Sequence, residues 1–166
     1  MSEGMDVETA QELQMALLRI LIVDDFDLWK NFVMARLRER PDLEIVGFAS
    51  DGLQAVQKAE ELQPDIILLD MMLPKLNGIQ AAQQIRRVAP RSKILFVSSE
   101  SDAESVQSAL QAGGTGYISK IDAAERLLEG IECVLRGERF VSSSLAECGN
   151  VADSQGPGSE DENTAT

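Results

Sequence analysis

Apolar and polar positions follow two alternating rhythms along the chain. Short unbroken apolar runs occur at 19–23 (RILIV), 44–49 (EIVGFA), 65–70 (DIILLD), 93–98 (KILFVS) and 116–119 (GYIS). Continuous rather than alternating hydrophobicity predicts strands covered on both faces. Between them the period lengthens to that of a helix. Over 27–40, Leu28, Phe32, Ala35 and Leu37 are apolar while Lys30, Arg36, Arg38 and Glu39 are polar, and Pro41 stops the segment. The stretches 51–62, 77–88, 101–113 and 122–137 repeat that rhythm. Their Asp or Ser starts predict N-caps, and Gly113 and Gly137 predict C-terminal stops.

Five strands alternating with five helices predict an α/β fold: a parallel sheet with right-handed crossovers and helices on both faces. Such a sheet binds its ligand outside the carboxyl ends of its strands. Asp24 and Asp25 follow the first strand, Asp70 ends the third, Ser98 ends the fourth and Lys120 follows the fifth. All five are expected on one edge. Adjacent carboxylates repel unless a cation or proton relieves them, so the acidic end of RILIVDDFD asks for a positive partner.

Hard oxygen ligands without nitrogen or thiolate select magnesium, with manganese able to substitute, over zinc. In that setting Asp70 reads as a nucleophile that attacks a phosphoryl group to give an acyl phosphate. A metal and Lys120 neutralise charge on the transferring oxygens, and Ser98 hydrogen-bonds one of them.

Composition narrows the field. The chain has 166 residues and no histidine, which excludes histidine-based nucleophilic catalysis, histidine-ligated zinc and self-contained phosphohistidine chemistry. The net charge is −13, and nine of the acids behind it are Glu3, Asp6, Glu8 and Glu12 at one end and Glu147, Asp153, Glu160, Asp161 and Glu162 at the other. The middle is only mildly acidic and carries no basic footprint for nucleic acid. Two cysteines, Cys133 and Cys148, make no disulfide framework, so a reducing compartment, the cytoplasm, is expected. No apolar run approaches a membrane span. Residues 1–18 read as a leader with a short helical pattern, 19–141 as the folded domain, and 142–166, rich in Gly, Ser, Asn and acids, as a disordered acidic tail.

The motifs together resemble the response-regulator receiver domain of two-component signalling, over about residues 19–141. The acidic pair stands after the first strand. LLDMMLPKLNGIQ has the family's phosphoacceptor position at Asp70, with Pro74 and Gly78 at the matching spacings, FVSS supplies Ser98, and GYISK supplies Tyr117 and Lys120. The resemblance implies a flavodoxin-like doubly wound (βα)5 three-layer sandwich, its five-stranded parallel sheet in the order 2-1-3-4-5. It implies that Asp25 and Asp70 ligate magnesium directly, Met72 through its main-chain carbonyl and Asp24 mainly through water. Ser98, Tyr117 and Lys120 become the phosphate-binding and switch residues, Ser98 and Tyr117 turning inward on phosphorylation, and Met72 and Glu100 tune dephosphorylation.

RPDLEIVGFASDGLQAV, GGTGYISK and VLRGERFVSS resemble receivers of the NarL/FixJ type in particular. In that group a helix-turn-helix domain follows; after Val141 none is expected here, and DNA binding is not expected. Ile121 stands where many receivers carry a cis proline after the lysine, so a trans bond is expected. The implied partners are a sensor histidine kinase or phosphotransfer protein and a downstream protein, with no membrane contact and with room for a weak homodimer. The implied chemistry is confined to the chain's own phosphorylation and dephosphorylation. A competing reading is a phosphohydrolase of the haloacid-dehalogenase type, on DFD at 25–27, although Trp29 stands where that pattern expects Thr or Val. A third is a DNA-binding regulator without its output domain.

Overall fold

In a computed structural model describing residues 17–100 and 102–142, the apolar runs become one sheet. Its strands are β1 (Leu18–Val23), β2 (Leu43–Ala49), β3 (Ile66–Leu69), β4 (Lys93–Ser98), β5 (Gly116–Ser119) and β6 (Phe140–Val141), ordered β2-β1-β3-β4-β5-β6. Every neighbouring pair is parallel. The helices are α1 (Asp27–Leu37), α2 (Gly52–Leu62), α3 (Gly78–Val88), α4 (Ala103–Gln111) and α5 (Lys120–Leu135).

Within each strand, successive side chains point to opposite faces, and both faces are apolar. Leu21, Val23, Ile67, Leu69, Ile94, Phe96 and Tyr117 pack against Ala55 and Ala59 of α2, Ala81, Ala82 and Ile85 of α3, and Val106 and Ala109 of α4. Ile20, Ile22, Ile66, Leu68, Leu95, Val97 and Ile118 pack against Val33 and Leu37 of α1 and Ala123, Leu127, Ile131 and Val134 of α5. This is the expected three-layer sandwich. Each fully buried Leu or Ile contributes about 1.5–3 kcal/mol, which a half-exposed sheet could not collect on both faces.

The expected strand order holds, with one addition. Phe140–Val141 adds a two-residue edge strand beside β5, pairing Gly116 with Phe140 and Tyr117 with Val141. Phe140 is buried against the α5 side, Ser142 N donates to the Tyr117 carbonyl at 3.0 Å, and Ser142 Oγ accepts from Ser119 N at 3.2 Å. Two residues are too few to show a strand rhythm. Ser142, the first residue of the expected tail, is thus buried in the fold. The other tail residues, 143–166, and residues 1–16 of the expected leader lie outside the described residues.

Local chemistry sets the helix starts. Asp51 caps α2 by accepting from Gln54 N, Asn77 and Gln80 form a reciprocal capping box on α3, and Asp102 caps α4. The last helix starts earlier than its apolar rhythm indicates: Ser119, not Asp122, is the cap, and its Oγ accepts from Asp122 N at 3.1 Å. Helix α1 ends at Leu37 rather than Arg40, and Leu28 is 68% exposed. The buried stripe runs instead through Trp29, Phe32, Val33 and Leu37, and Leu28 falls outside it. Gly113 and Gly137, both at positive φ, follow the C-caps as expected. No peptide bond is cis among the described residues, and no helix among them is long and apolar enough to cross a membrane.

Candidate functional site

Strands β1 and β3 are neighbours, with Val23 paired to Leu69, so the residues that follow them emerge side by side. One carboxylate oxygen from each of Asp24, Asp25 and Asp70 falls within 4.8 Å of the others. Asp24 is 1% and Asp70 5% exposed, whereas Asp25 is exposed. Asp24 Oδ1 accepts from Phe26 N at 2.8 Å, and Asp70 Oδ1 accepts from Met72 N at 3.3 Å. Lys120, the first residue of α5, brings its Nζ to 2.8 Å from Asp24 Oδ2 and 3.8 Å from Asp70 Oδ2. Its ammonium also lies over the Trp29 ring, 5.0 Å from the centroid.

The electrostatics follow from this crowding. Burial, then the Asp24 charge and more weakly Asp25, push the Asp70 carboxyl up to about 6. Lys120 and the Met72 N–H pull the other way. Asp24 Oδ2 is buried, with the Lys120 ammonium as its charge partner. Three carboxylates that offer oxygens within 4.8 Å of one another, two of them buried, fit a hard divalent cation such as magnesium.

The loop from Asp70 to Gly78 is held by backbone contacts. Gly78 N donates to Met71 O at 2.9 Å, and a Cβ at Gly78 would lie 2.3 Å from Asp70 O and 2.6 Å from Met71 Cα. Only glycine permits that approach. On the other side Gly52 N donates to Pro74 O at 3.2 Å, and Lys75, at φ 70°, pairs with buried Asp51 at 3.6 Å. The sequence reading assigned Asp51 only a cap; its second contact depends on how two distant loops meet. Met72 is 60% exposed, with Asp25, Met71, Leu73, Pro74, Asn77 and Ile79 around it lining an open cavity of about 470 Å³.

Ser98 and Tyr117 stand on adjacent strands, Phe96 pairing with Tyr117. Ser98 is fully buried, and its Oγ accepts from Glu100 N at 3.1 Å. Tyr117 is also fully buried, lies near-parallel to Phe96 at 6.4 Å, and donates its hydroxyl to the Glu100 carbonyl at 2.7 Å. Burial pushes its hydroxyl up to about 12 against the opposing hydrogen bond with Ser98. The ring expected to turn inward as a switch is already inside. The Glu100 main chain thus ties both residues to the β4–α4 loop. Asp27, the second acid of DFD, stays apart: its carboxylate is 90% exposed and pairs with Lys30 at 3.3 Å.

Sequence reasoning brought the acids, Ser98 and Lys120 to this edge. It overlooked Trp29 as a neighbour of Lys120, because the rhythm of α1 alone does not say which side the helix buries.

Residues 20–132 match the family described as response regulator receiver domain. The chain is 34% identical over 130 residues to the transcriptional regulatory protein LiaR of Bacillus subtilis (strain 168), covering 78% of this chain and 62% of LiaR. It is 33% identical over 121 residues to the response regulator protein VraR of Staphylococcus aureus (strain COL), covering 73% of this chain and 58% of VraR. The chain thus spans about three-fifths of these relatives' length. Among solved structures, a LuxR-family two-component response regulator from Aurantimonas sp. SI85-9A1 superposes with a TM-score of 0.77 at 28% identity, over 85% of this chain and 99% of that one. The response regulator domain of Thermotoga maritima CheB gives 0.67 at 35% identity, over 72% and 97%. The chain therefore belongs to the response regulator receiver domain family.

Proposed function

We propose that Asp70 accepts a phosphoryl group from a phosphohistidine on a sensor histidine kinase or phosphotransfer protein, and that a downstream protein reads the change. The observation that carries this reading is the buried Asp70 carboxylate, set beside Asp24 and Asp25 with the Lys120 ammonium 3.8 Å away. An Asp70 oxygen attacks phosphorus, the P–N bond to the donor imidazole breaks, and its electrons return to nitrogen. The product is an acyl phosphate.

Burial favours Asp70 as nucleophile over exposed Asp25. A carboxyl near pH 6 is still largely ionised at neutral pH, and the proton affinity that burial raises also makes it more nucleophilic. Lys120 stabilises charge on the transferring oxygens from its position at the mouth. Asp25, Asp70 and the Met72 carbonyl would hold magnesium or manganese directly, with Asp24 mainly through water. The ion, when bound, supplies charge neutralisation on the phosphoryl oxygens.

Ser98 offers its hydroxyl to the phosphoryl group, and any rearrangement there pulls on Glu100 and, through its carbonyl, on Tyr117. The β4–α4 loop is then the part of the surface that changes for a partner. Met72 and Glu100 flank the path of an attacking water and tune how long the phosphoryl group stays.

Intact mass after incubation with magnesium and acetyl phosphate tests the reading. One phosphoryl adduct is expected, absent in Asp70→Asn and absent when the metal is chelated. An adduct that survives Asp70→Asn would refute the assignment.

A further inference from the structure

Lys120 occupies an awkward position for a cation. It is the first residue of α5, where the helix macrodipole presents its positive end, and its long side chain loses rotamer freedom when held in one place. Asp24 Oδ2 at 2.8 Å and Asp70 Oδ2 at 3.8 Å attract it. Both carboxylates belong to the cluster that a divalent cation or a phosphoryl group would engage, so neither is a constant partner for the ammonium.

The Trp29 ring is a different kind of neighbour. It lies on α1, packs tilted against Phe32 with centroids 5.0 Å apart, and borders the core between α1, α5 and the sheet. Its face attracts an ammonium through the ring quadrupole, and it competes for neither a metal nor a phosphoryl oxygen. The Lys120 side chain is only 20% exposed, a setting in which such a contact is stronger than on an open surface.

We propose that Trp29 is a positioning residue for Lys120, its indole face holding the ammonium over the Asp24–Asp70 edge whatever occupies the carboxylates. The consequence for phosphoryl transfer rests on the role given to Lys120 above; the contact itself does not.

The test uses the full chain with isotope-labelled lysine. The Lys120 ε-methylene protons, identified by their loss in Lys120→Arg, should resonate upfield of ordinary lysines because of the indole ring current, with or without magnesium. Trp29→Leu should abolish that shift and Trp29→Phe should retain part of it. In parallel, Trp29→Leu should slow adduct formation from acetyl phosphate roughly 3- to 30-fold, the range a cation–π contact can supply. Trp29→Phe should restore much of the rate. Phe32→Leu, which removes the neighbour of the ring but not the ring, should leave shift and rate near wild type.

An ordinary lysine shift in the wild type overturns the proposal. So does a Trp29→Leu rate equal to wild type, or an equal slowing by Phe32→Leu, which would make the effect one of packing. If the wild type forms no adduct at all, the phosphoacceptor reading falls, and the chemical shift alone decides the Trp29–Lys120 contact.

Discussion

Replacing Asp70 with asparagine should stabilise the metal-free protein, although it removes the proposed reactive group. The carboxyl releases its proton near 3.8 in the unfolded chain and near 6 in the fold. Between those values the fold keeps a proton that the unfolded chain has lost, so stability falls as pH rises through that window. Above about pH 6 the penalty is complete. At 1.4 kcal/mol per unit it comes to about 3 kcal/mol. That figure already contains the attraction of Lys120, so the amide's remaining cost is the burial of an NH2 that needs a partner, on the order of 1–2 kcal/mol. A net gain of about 1–2 kcal/mol is therefore expected at pH 7.5, or roughly 3–5 °C per kcal/mol for a fold of this size.

Urea denaturation of both proteins in chelator, at pH 7.5 and 4.5, measures it. At pH 4.5 the Asp70 carboxyl is already protonated in the fold, and the relieved penalty shrinks to about a third. Added magnesium should reverse the order, because the wild type gains about 1.4 kcal/mol for each tenfold excess over its dissociation constant. An Asp70→Asn protein less stable than wild type at pH 7.5 without metal, or an advantage unchanged at pH 4.5, would refute the reasoning.

Two further substitutions probe the loop that follows Asp70. Met72→Asn places a hydrogen-bonding side chain where an exposed thioether now stands, and the phosphoryl half-life should change; an unaltered half-life measured by intact mass counts against the tuning role. Gly78→Ala forces a Cβ to within 2.3 Å of Asp70 O, so the loop must move; adduct formation should drop at least tenfold at a temperature where circular dichroism still shows a folded protein, and a normal rate would mean that the loop relaxes freely.

Much of the fold was legible in the sequence because its cues are local. Unbroken apolar runs such as IILL required burial on both faces, and Asp51 announced a helix start through its own hydrogen-bonding chemistry. The edge that carries the carboxylate cluster was legible too, since residues at the carboxyl ends of parallel strands must share one side of the sheet. Asp24, Asp70, Ser98 and Lys120 could therefore be brought together before any distance was known.

What stayed hidden depends on contacts between segments far apart in the chain. The helix rhythm of DLWKNFVMARL does not say which side α1 buries, and packing against the sheet left Leu28 outside and Trp29 inside, beneath Lys120. The edge strand Phe140–Val141 exists because β5 offers it a partner, not because two residues prefer extended backbone. The inward position of Tyr117 reflects a hydrogen bond to Glu100 on a neighbouring loop. The proton affinity of Asp70 is the clearest case: an aspartate in sequence is an ordinary acid, and only burial beside Asp24, with a single ammonium off to one side, moves it toward neutral pH. Sequence determined which groups meet at the site. Tertiary packing decided how dry and how crowded their meeting is, because desolvation and charge repulsion are properties of the assembled space and not of any residue alone.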